Sequence, residues 1–477
     1  MVGRKANHRF DYGWLIGELD EMCRKSRQMI FVIFLSTLVL FFPLFLKESD
    51  NYKCKDLYGY VETSSLDYWR NKRNYSTATI AGVEEIERIN AAIDSKMIEF
   101  YRNKGVSREL ATYNLLNYEI YLAKETIVNM IKAVADKFFQ HIPDENYYNF
   151  DSLAEKNEIS YAIVTEKSDI KTIPIDLCAF CDKNMDEMQI TTVRFGEPLI
   201  VLHRTVDNGW SFVRTYNNVM GWLESKNIAI ADRDEFTNYI NMNDFLIVIS
   251  KNELIGNSYL DMGTKLALKN EKKESYIIKF PIRDRKNGLI HYRDVEIKKN
   301  PGLHRGYLTY SEKNIVEQAM KYHGTLYAWG SANNGIDCSG LVMNVYSVFG
   351  LRLPRNSQEQ QALAKNLEFF SGSDSGSGSG SRSMYFGKGQ TMKVNRALDS
   401  AKIGSILFFP GHAMLYLGKV ANRHYVIHSI FACKKNNGHG KYEKYYPRQV
   451  MISALENLKK FSGVSFIDSL VSIATIE

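Results

Sequence analysis

The feature that most constrains this chain is an 18-residue run without a charge, MIFVIFLSTLVLFFPLFL, at 29–46. A run of that length just spans a bilayer as a helix. Pro43 lies near its far end, where a kink is tolerated. Arg4, Lys5, Arg9, Arg24, Lys25 and Arg27 precede it, and the mixed set Lys47, Glu48, Asp50, Lys53 and Lys55 comes after it. The positive-inside bias then keeps residues 1–28 in the cytoplasm as a short N-terminus. It exports the rest to the periplasm or the outside, held at the cell membrane by a single-pass helix. The alternative is a signal peptide cleaved on secretion. The long leading segment and the lack of a small-x-small site favour the uncleaved anchor.

The chain beyond the anchor is too long for one core, since 477 residues imply about three or four domains. The net charge of +7 is mild over this length and fits a solvated or wall-facing surface. No basic stripe with interleaved aromatics is present, which argues against nucleic acid as a partner. The six cysteines do not make a disulfide framework. Cys178 and Cys181 form a lone CxxC, more in keeping with incidental thiols or a local disulfide than with zinc.

Periodicity changes along the exported part. Residues 56–155 read as a helical region: Ile86, Ile89, Ile93, Met97 and Phe100 recur at mostly three- and four-residue steps up to Gly105, and Ser107 is placed to cap a second helix. Residues 158–232 and 243–300 break into short β-type runs divided by turn signals such as DNG, which predicts two small barrel-like modules. Residues 310–460 alternate helix-like and strand-like runs. This stretch carries a Gly/Ser-rich insertion at 371–383 that reads as a surface loop. The fold class expected is α+β.

One stretch in the last unit carries chemistry. GIDCSGLVMNVYSVFG places Cys338 at the start of an apolar helix. A helix N-terminus lowers a thiol's pKa, and the thiolate is the reactive form. Small neighbours leave backbone N–H groups free to hold an oxyanion. A base is needed, and His412 opens a strand directly after Pro410-Gly411. His428, on a later strand, could orient the His412 ring as the third member of a triad, with His424 as its competitor.

With these residues the sequence resembles the NlpC/P60 family of papain-like cysteine peptidases. The matching motifs are YAWGSANNGIDCSGLV, LPRNSQEQ, GSILFFPGHAMLYLG and VIHS. The upstream modules resemble the helical stabilising segment and paired bacterial SH3 domains that precede the peptidase in some members. FGEPLIVLHRTVDNGWSFVRTY and MGWLES match the first of those SH3 domains. The resemblance implies hydrolysis of the γ-D-glutamyl bond to the diamino acid of peptidoglycan stem peptides, with no metal or cofactor. It implies Cys338 as nucleophile, His412 as general base, His428 as its orienting partner and Tyr327 near the oxyanion. It further implies Asp337 and Ser339 as ligands of a free N-terminal L-Ala amine, with Arg355 near that pocket. Two departures stand out: Gly404-Ser405 replaces the usual Gly-Asp, and the SH3 tyrosine expected before Gly-Trp is absent, with Val219 nearest and Tyr216 further back. The competing readings are a non-catalytic wall-binding protein and an amidase or acyltransferase on the same fold.

Overall fold

The computed structural model describes residues 66–103, 115, 124–138, 143–153, 159–176, 184–364, 370–371, 384–385, 391–436 and 441–477. All of them belong to one compact unit, Asp56–Glu477. The expected span at 29–46, the Ser107 cap, the Cys178/Cys181 pair and residues 372–383 of the insertion lie outside the described residues. No helix among the described residues is long and apolar enough to cross a membrane.

The helical region contributes α1 (Val83–Arg102) and α2 (Lys124–Phe138). Glu84 and Glu85 in the first turn of α1 and Arg102 in its last complement the helix dipole. Its buried stripe of Ile86, Ile89, Ile93 and Met97 joins the core of the C-terminal unit rather than a core of its own. Asn90 fixes the register: its Nδ2 donates to the Gly350 carbonyl (2.8 Å), and its Oδ1 accepts from the Arg352 amide (2.8 Å).

The first β module consists of β1 (Ser160–Val164), β2 (Ser168–Lys171), β3 (Gln189–Val193), β4 (Pro198–Arg204), β5 (Trp210–Thr215), β6 (Met220–Glu224) and β7 (Ile228–Ala231). They form an antiparallel sheet in the order β3-β2-β6-β5-β4-β1-β7. A capped helix, α3 (Arg233–Ile240), leads out of it. Asp232 accepts from the Glu235 amide there, and the Glu235 side chain bonds back to the Asp232 amide. The second module comprises β8 (Phe245–Val248), β9 (Asn252–Ile255), β10 (Ser258–Asp261), β11 (Lys265–Glu271), β12 (Ser275–Arg283), β13 (Ile290–Lys298) and β14 (Leu303–Arg305). Its main sheet runs β13-β12-β11-β8-β14, with β9 and β10 as a separate hairpin.

Among the described residues the C-terminal unit has four α-helices: α4 (Glu312–Met320), α5 (Cys338–Ser347), α6 (Ser357–Ala364) and α7 (Thr391–Ser400). The short strands β15 (Phe370–Ser371) and β16 (Met384–Tyr385) flank the described edges of the insertion. Then come β17 (Ile406–Phe409), β18 (His412–Val420), β19 (Arg423–Ile430), β20 (Cys433–Asn436), β21 (Tyr442–Tyr445), β22 (Gln449–Ala454), β23 (Leu458–Lys459) and β24 (Ser472–Ile476). The central sheet has the order β15-β24-β17-β18-β19-β22, with β16 also pairing β24. The sheet thus takes an inner strand from beyond residue 460, the last residue that the strand-like motifs reach. Burial alternates with period two. Leu415, Leu417 and Ile427 face the core containing α4 and α5, whereas Met414, Tyr416 and Val426 face a second core under α7. Both faces are covered, so the strands are buried almost throughout.

The first sequence departure has a local reason. Ser405 is fully buried, and its hydroxyl pairs with Thr475 Oγ1 on β24 at 2.6 Å. A carboxylate there would be buried against a neutral hydroxyl. Gly404 beside it adopts φ +84, and a Cβ would lie 2.8 Å from Ile315 Cδ1.

Candidate active site

Asp337 starts α5. Its side chain accepts from the Gly340 amide at 2.7 Å, the N-cap that fixes where the helix begins. Cys338 is therefore the first helical residue, and it is buried, at 7% exposure. Ser429 ties the incoming loop to the sheet by donating to the Ile336 carbonyl (2.6 Å).

The candidate base, His412, arrives on a tight turn. Phe409 pairs with His412 across Pro410-Gly411, and Gly411 has φ +73, as the third position of a type II turn requires. The Ala413 amide, next to His412, points at the Cys338 sulfur. The β18–β19 register pairs Leu415 with Ile427, so one step on Met414 faces His428 and His412 lies diagonally on the same face. The same diagonal continues into β22, where Ser453 faces Val426. The result is a relay across three strands: His412 Nε2 to His428 Nδ1 at 3.0 Å, and His428 Nε2 to Ser453 Oγ at 3.0 Å. His428 and Ser453 are fully buried. Nε2 of His412 is thus occupied, and Nδ1 is the nitrogen left for the thiol. Ser453 is a site residue that the sequence motifs do not reveal. Only its register opposite the His428 strand exposes it.

Burial, rather than the helix terminus, sets the charge state. It pushes the Cys338 thiol up to about 12, with the Asp337 carboxylate adding to the rise. The Ala413 and Ser339 amides and Arg355 pull the other way without overcoming it. The expected lowering of the thiol pKa by the helix N-terminus is therefore reversed. Burial brings His412 down to about 3 and His428 well below its ordinary value. The thiol and both imidazoles are therefore neutral at neutral pH. A thiol in that state could attack only if its proton moved to a base as the C–S bond formed.

Beside the nucleophile lies a buried charged cluster centred on Arg355, which is 3% exposed. Its Nε donates to Thr191 Oγ1 (2.7 Å), and one terminal nitrogen donates to Asp337 Oδ1 and Ser339 Oγ (both 3.0 Å). The other donates to Asp337 Oδ2 (2.6 Å) and Ser331 Oγ (3.2 Å). All of a guanidinium's N–H donors are used. Asp337 and Ser339, implied as amine ligands, are thus held in place by Arg355.

Thr191 belongs to the first β module, which docks on the turn Trp329–Ser331. Trp329 Nε1 donates to the Gln189 carbonyl (3.0 Å), and Thr192 Oγ1 donates to the Ser331 carbonyl (3.1 Å). Gly330 has φ +62, and a Cβ there would meet Gln189 Cγ at 2.7 Å, so the close approach requires glycine. Val219 is buried in that module's core, and Tyr216 accepts from Arg194 (3.3 Å). Two threonines, rather than a tyrosine, make the contact beside Asp337. Tyr327, the implied oxyanion residue, is 9% exposed. Its amide donates to the Arg448 carbonyl (2.8 Å), and its ring meets Phe431 edge-on. His424 stands apart from this site, bonded through Nδ1 to Tyr416 (2.9 Å).

Comparison with known proteins places these features. Residues 324–451 match the NlpC/P60 family, and residues 180–224 match the SH3 domain of SH3b1 type. The bifunctional muramidase/DL-endopeptidase CwlT of Bacillus subtilis is 36% identical over 95 residues, 17% of this chain and 29% of that protein. The γ-D-glutamyl-L-lysine dipeptidyl-peptidase of Bacillus cereus is 26% identical over 256 residues, 48% of this chain and 73% of that one. The chain thus spans less than a third of the first relative and about three-quarters of the second. A solved NlpC/P60 endopeptidase from Photobacterium damselae superposes with a TM-score of 0.60 over 83% of this chain and 93% of its own. At 18% identity this is a likeness of fold alone.

Proposed function

We propose that this chain, a member of the NlpC/P60 family with an SH3 domain packed against its catalytic unit, is a cysteine endopeptidase of peptidoglycan. The proposed cut is the γ-D-glutamyl–diamino acid bond of stem peptides with a free N-terminal L-Ala. The observation that carries the reading is the bond from the Ala413 amide to Cys338 at a helix start, which brings the strand that opens with His412, and its relay to His428 and Ser453, to the thiol. His412 takes the thiol proton as Cys338 Sγ attacks the γ-carbonyl. The backbone N–H groups at the start of α5, with Tyr327, stabilise the oxyanion. The same proton then goes to the leaving amine, and water hydrolyses the thioester with His412 again as base.

The free-amine preference rests on Asp337 and Ser339. Oδ2 of Asp337 accepts only from Arg355 among the described contacts, and Ser339 Oγ has one lone pair left after accepting from Arg355 and donating to Asp337. Both groups can accept from an ammonium. The SH3 domain borders this end of the site and would exclude stems still attached to glycan. The charge run and apolar segment at the N-terminus support an exported, membrane-held enzyme.

The test uses the full chain, free L-Ala-γ-D-Glu-diaminopimelate, its N-acetylated form and intact wall, with products read by mass spectrometry and Cys338→Ala as control. Release of L-Ala-D-Glu from the free peptide alone, lost in the control, is the expected result. Cleavage of intact or N-acetylated substrate at equal rate removes the amine pocket. No cleavage of any substrate favours a wall-binding protein.

A further inference from the structure

At the far end of α5, the helical region, both β modules and the catalytic unit line an open pocket of about 600 Å³. That volume is in the range of small-molecule sites. Ser347, the last residue of α5, lines it, and its hydroxyl accepts from Arg194 at 3.2 Å. The apolar wall includes Ile98, Ile240, Met242 and Leu351.

The charges in the wall do not cancel. Arg352 pairs with Asp94 (3.1 Å), and Arg194 lies beside Glu197 (3.7 Å). Lys265 has no carboxylate. Its ammonium rests on the rings of Phe245 (4.2 Å) and Tyr307 (5.6 Å), with no hydrogen-bond acceptor among the described residues. Burial, together with Arg352 nearby, brings Lys265 down to about 8, so the group is held as a cation at a cost that an anion would relieve. Next to it Thr264, 3% exposed, has a buried hydroxyl without a partner. A buried donor with nothing to bond loses its hydration uncompensated. An unpaired cation and an apolar wall thus line one pocket, and the Thr264 hydroxyl is buried behind it.

We infer that this pocket is a binding site for a small apolar monocarboxylate, its carboxylate taken by Lys265 and its body lying against the apolar wall. The match is one of charge and shape: one unpaired cation and hydrophobic walls suit one carboxylate on an apolar body better than a polyanion or an amine. The inference does not depend on the peptidase reading.

The experiment is calorimetric titration of the full chain with 4-phenylbutyrate, with 4-phenylbutylamine as the charge-reversed probe. Saturable binding of one phenylbutyrate per chain is expected, with none of the amine. Lys265→Met should weaken it by at least about tenfold, the worth of a charge-assisted hydrogen bond, while Lys265→Arg keeps it. Thermal melting checks that each variant is folded. If Lys265→Met does not fold, Lys265→Gln serves instead and should also lose about tenfold, since it too removes the charge. Equal affinity in the variants, equal binding of the amine, or no saturation by about 10 mM, weaker than any contact-specific site of this size should be, overturns the inference.

Discussion

The β18–β19 hairpin carries two histidine clusters, one near each end, and they differ in what their nitrogens touch. At the open end, after the Pro410-Gly411 turn, His412 spends Nε2 on His428 and keeps Nδ1 without a partner among the described contacts. At the other end His424 spends both: Nδ1 on Tyr416 (2.9 Å) and Nε2 on Asp399 (3.4 Å). His424 has the carboxylate partner that a triad is usually sought by, yet it has no nitrogen to offer a substrate. His412 has only neutral partners, and it has one. For the proposed base, the nitrogen left free and the neighbouring Ala413 amide on Cys338 are the distinguishing signs, rather than the presence of an acid.

The sharpest way to break this comparison is to remove one base at a time. His412→Ala should cut kcat/KM by at least about 10,000-fold, as loss of a nucleophile's only base does. His424→Gln should leave kcat/KM within about twofold, because nothing in its cluster reaches the reacting atoms. If the two variants lose activity equally, the assignment fails. Ser453→Ala sharpens the comparison further. It frees His428 Nε2, and a loss of about tenfold in kcat with little change in KM is expected, the worth of one neutral hydrogen bond felt through the relay. Ser453→Thr should restore most of it.

Stability against pH gives the next smaller effect. Burial depresses both histidines, His412 to about 3 and His424 to about 4. The unfolded chain takes up those protons near 6.5 while the folded one does not. The stabilisation is therefore complete above 6.5 and is lost as pH falls towards 4 and 3. Between about pH 4.5 and 6, His424→Gln should flatten the dependence of unfolding free energy on pH by about 1.4 kcal/mol per unit, one proton's worth. Chemical denaturation across that window measures it. An unchanged slope would mean that His424 is not buried neutral. The smallest effect expected is in the acid limb of activity. Kcat/KM should stay flat from pH 7 down to about 5, because His412 is neutral throughout; a limb near 6.5 would show an imidazole of ordinary basicity.

The sequence made some of this legible and hid the rest for identifiable reasons. Cys338, Asp337 and the Pro410-Gly411-His412 turn sit in short local patterns, and local patterns survive in a linear reading. The buried stripe of α1 is readable in the same way, although its packing partner, the C-terminal unit, is not. Ser453 becomes visible only through strand register. Thr191 lies 164 residues from Arg355 in the chain, and no spacing rule connects them. The charge state of Cys338 goes the other way from the local argument, because a helix terminus is visible in sequence and burial is not. Ser405 reads as a lost acid until β24, from the end of the chain, supplies Thr475 as its partner.

The Arg355 cluster has a consequence for how this molecule can be taken apart. One guanidinium holds Asp337, Ser339 and Ser331 of the catalytic unit with four of its hydrogen bonds and the SH3 domain with the fifth, leaving no donor in reserve. A catalytic unit excised at residue 310 would carry a planar cation whose fifth N–H points at solvent where Thr191 had been. Such an enzyme does not come apart into interchangeable cassettes. Its SH3 domain belongs to the catalytic unit as a wall belongs to a room, and a chimera that exchanges the domain must bring a hydroxyl to the same place.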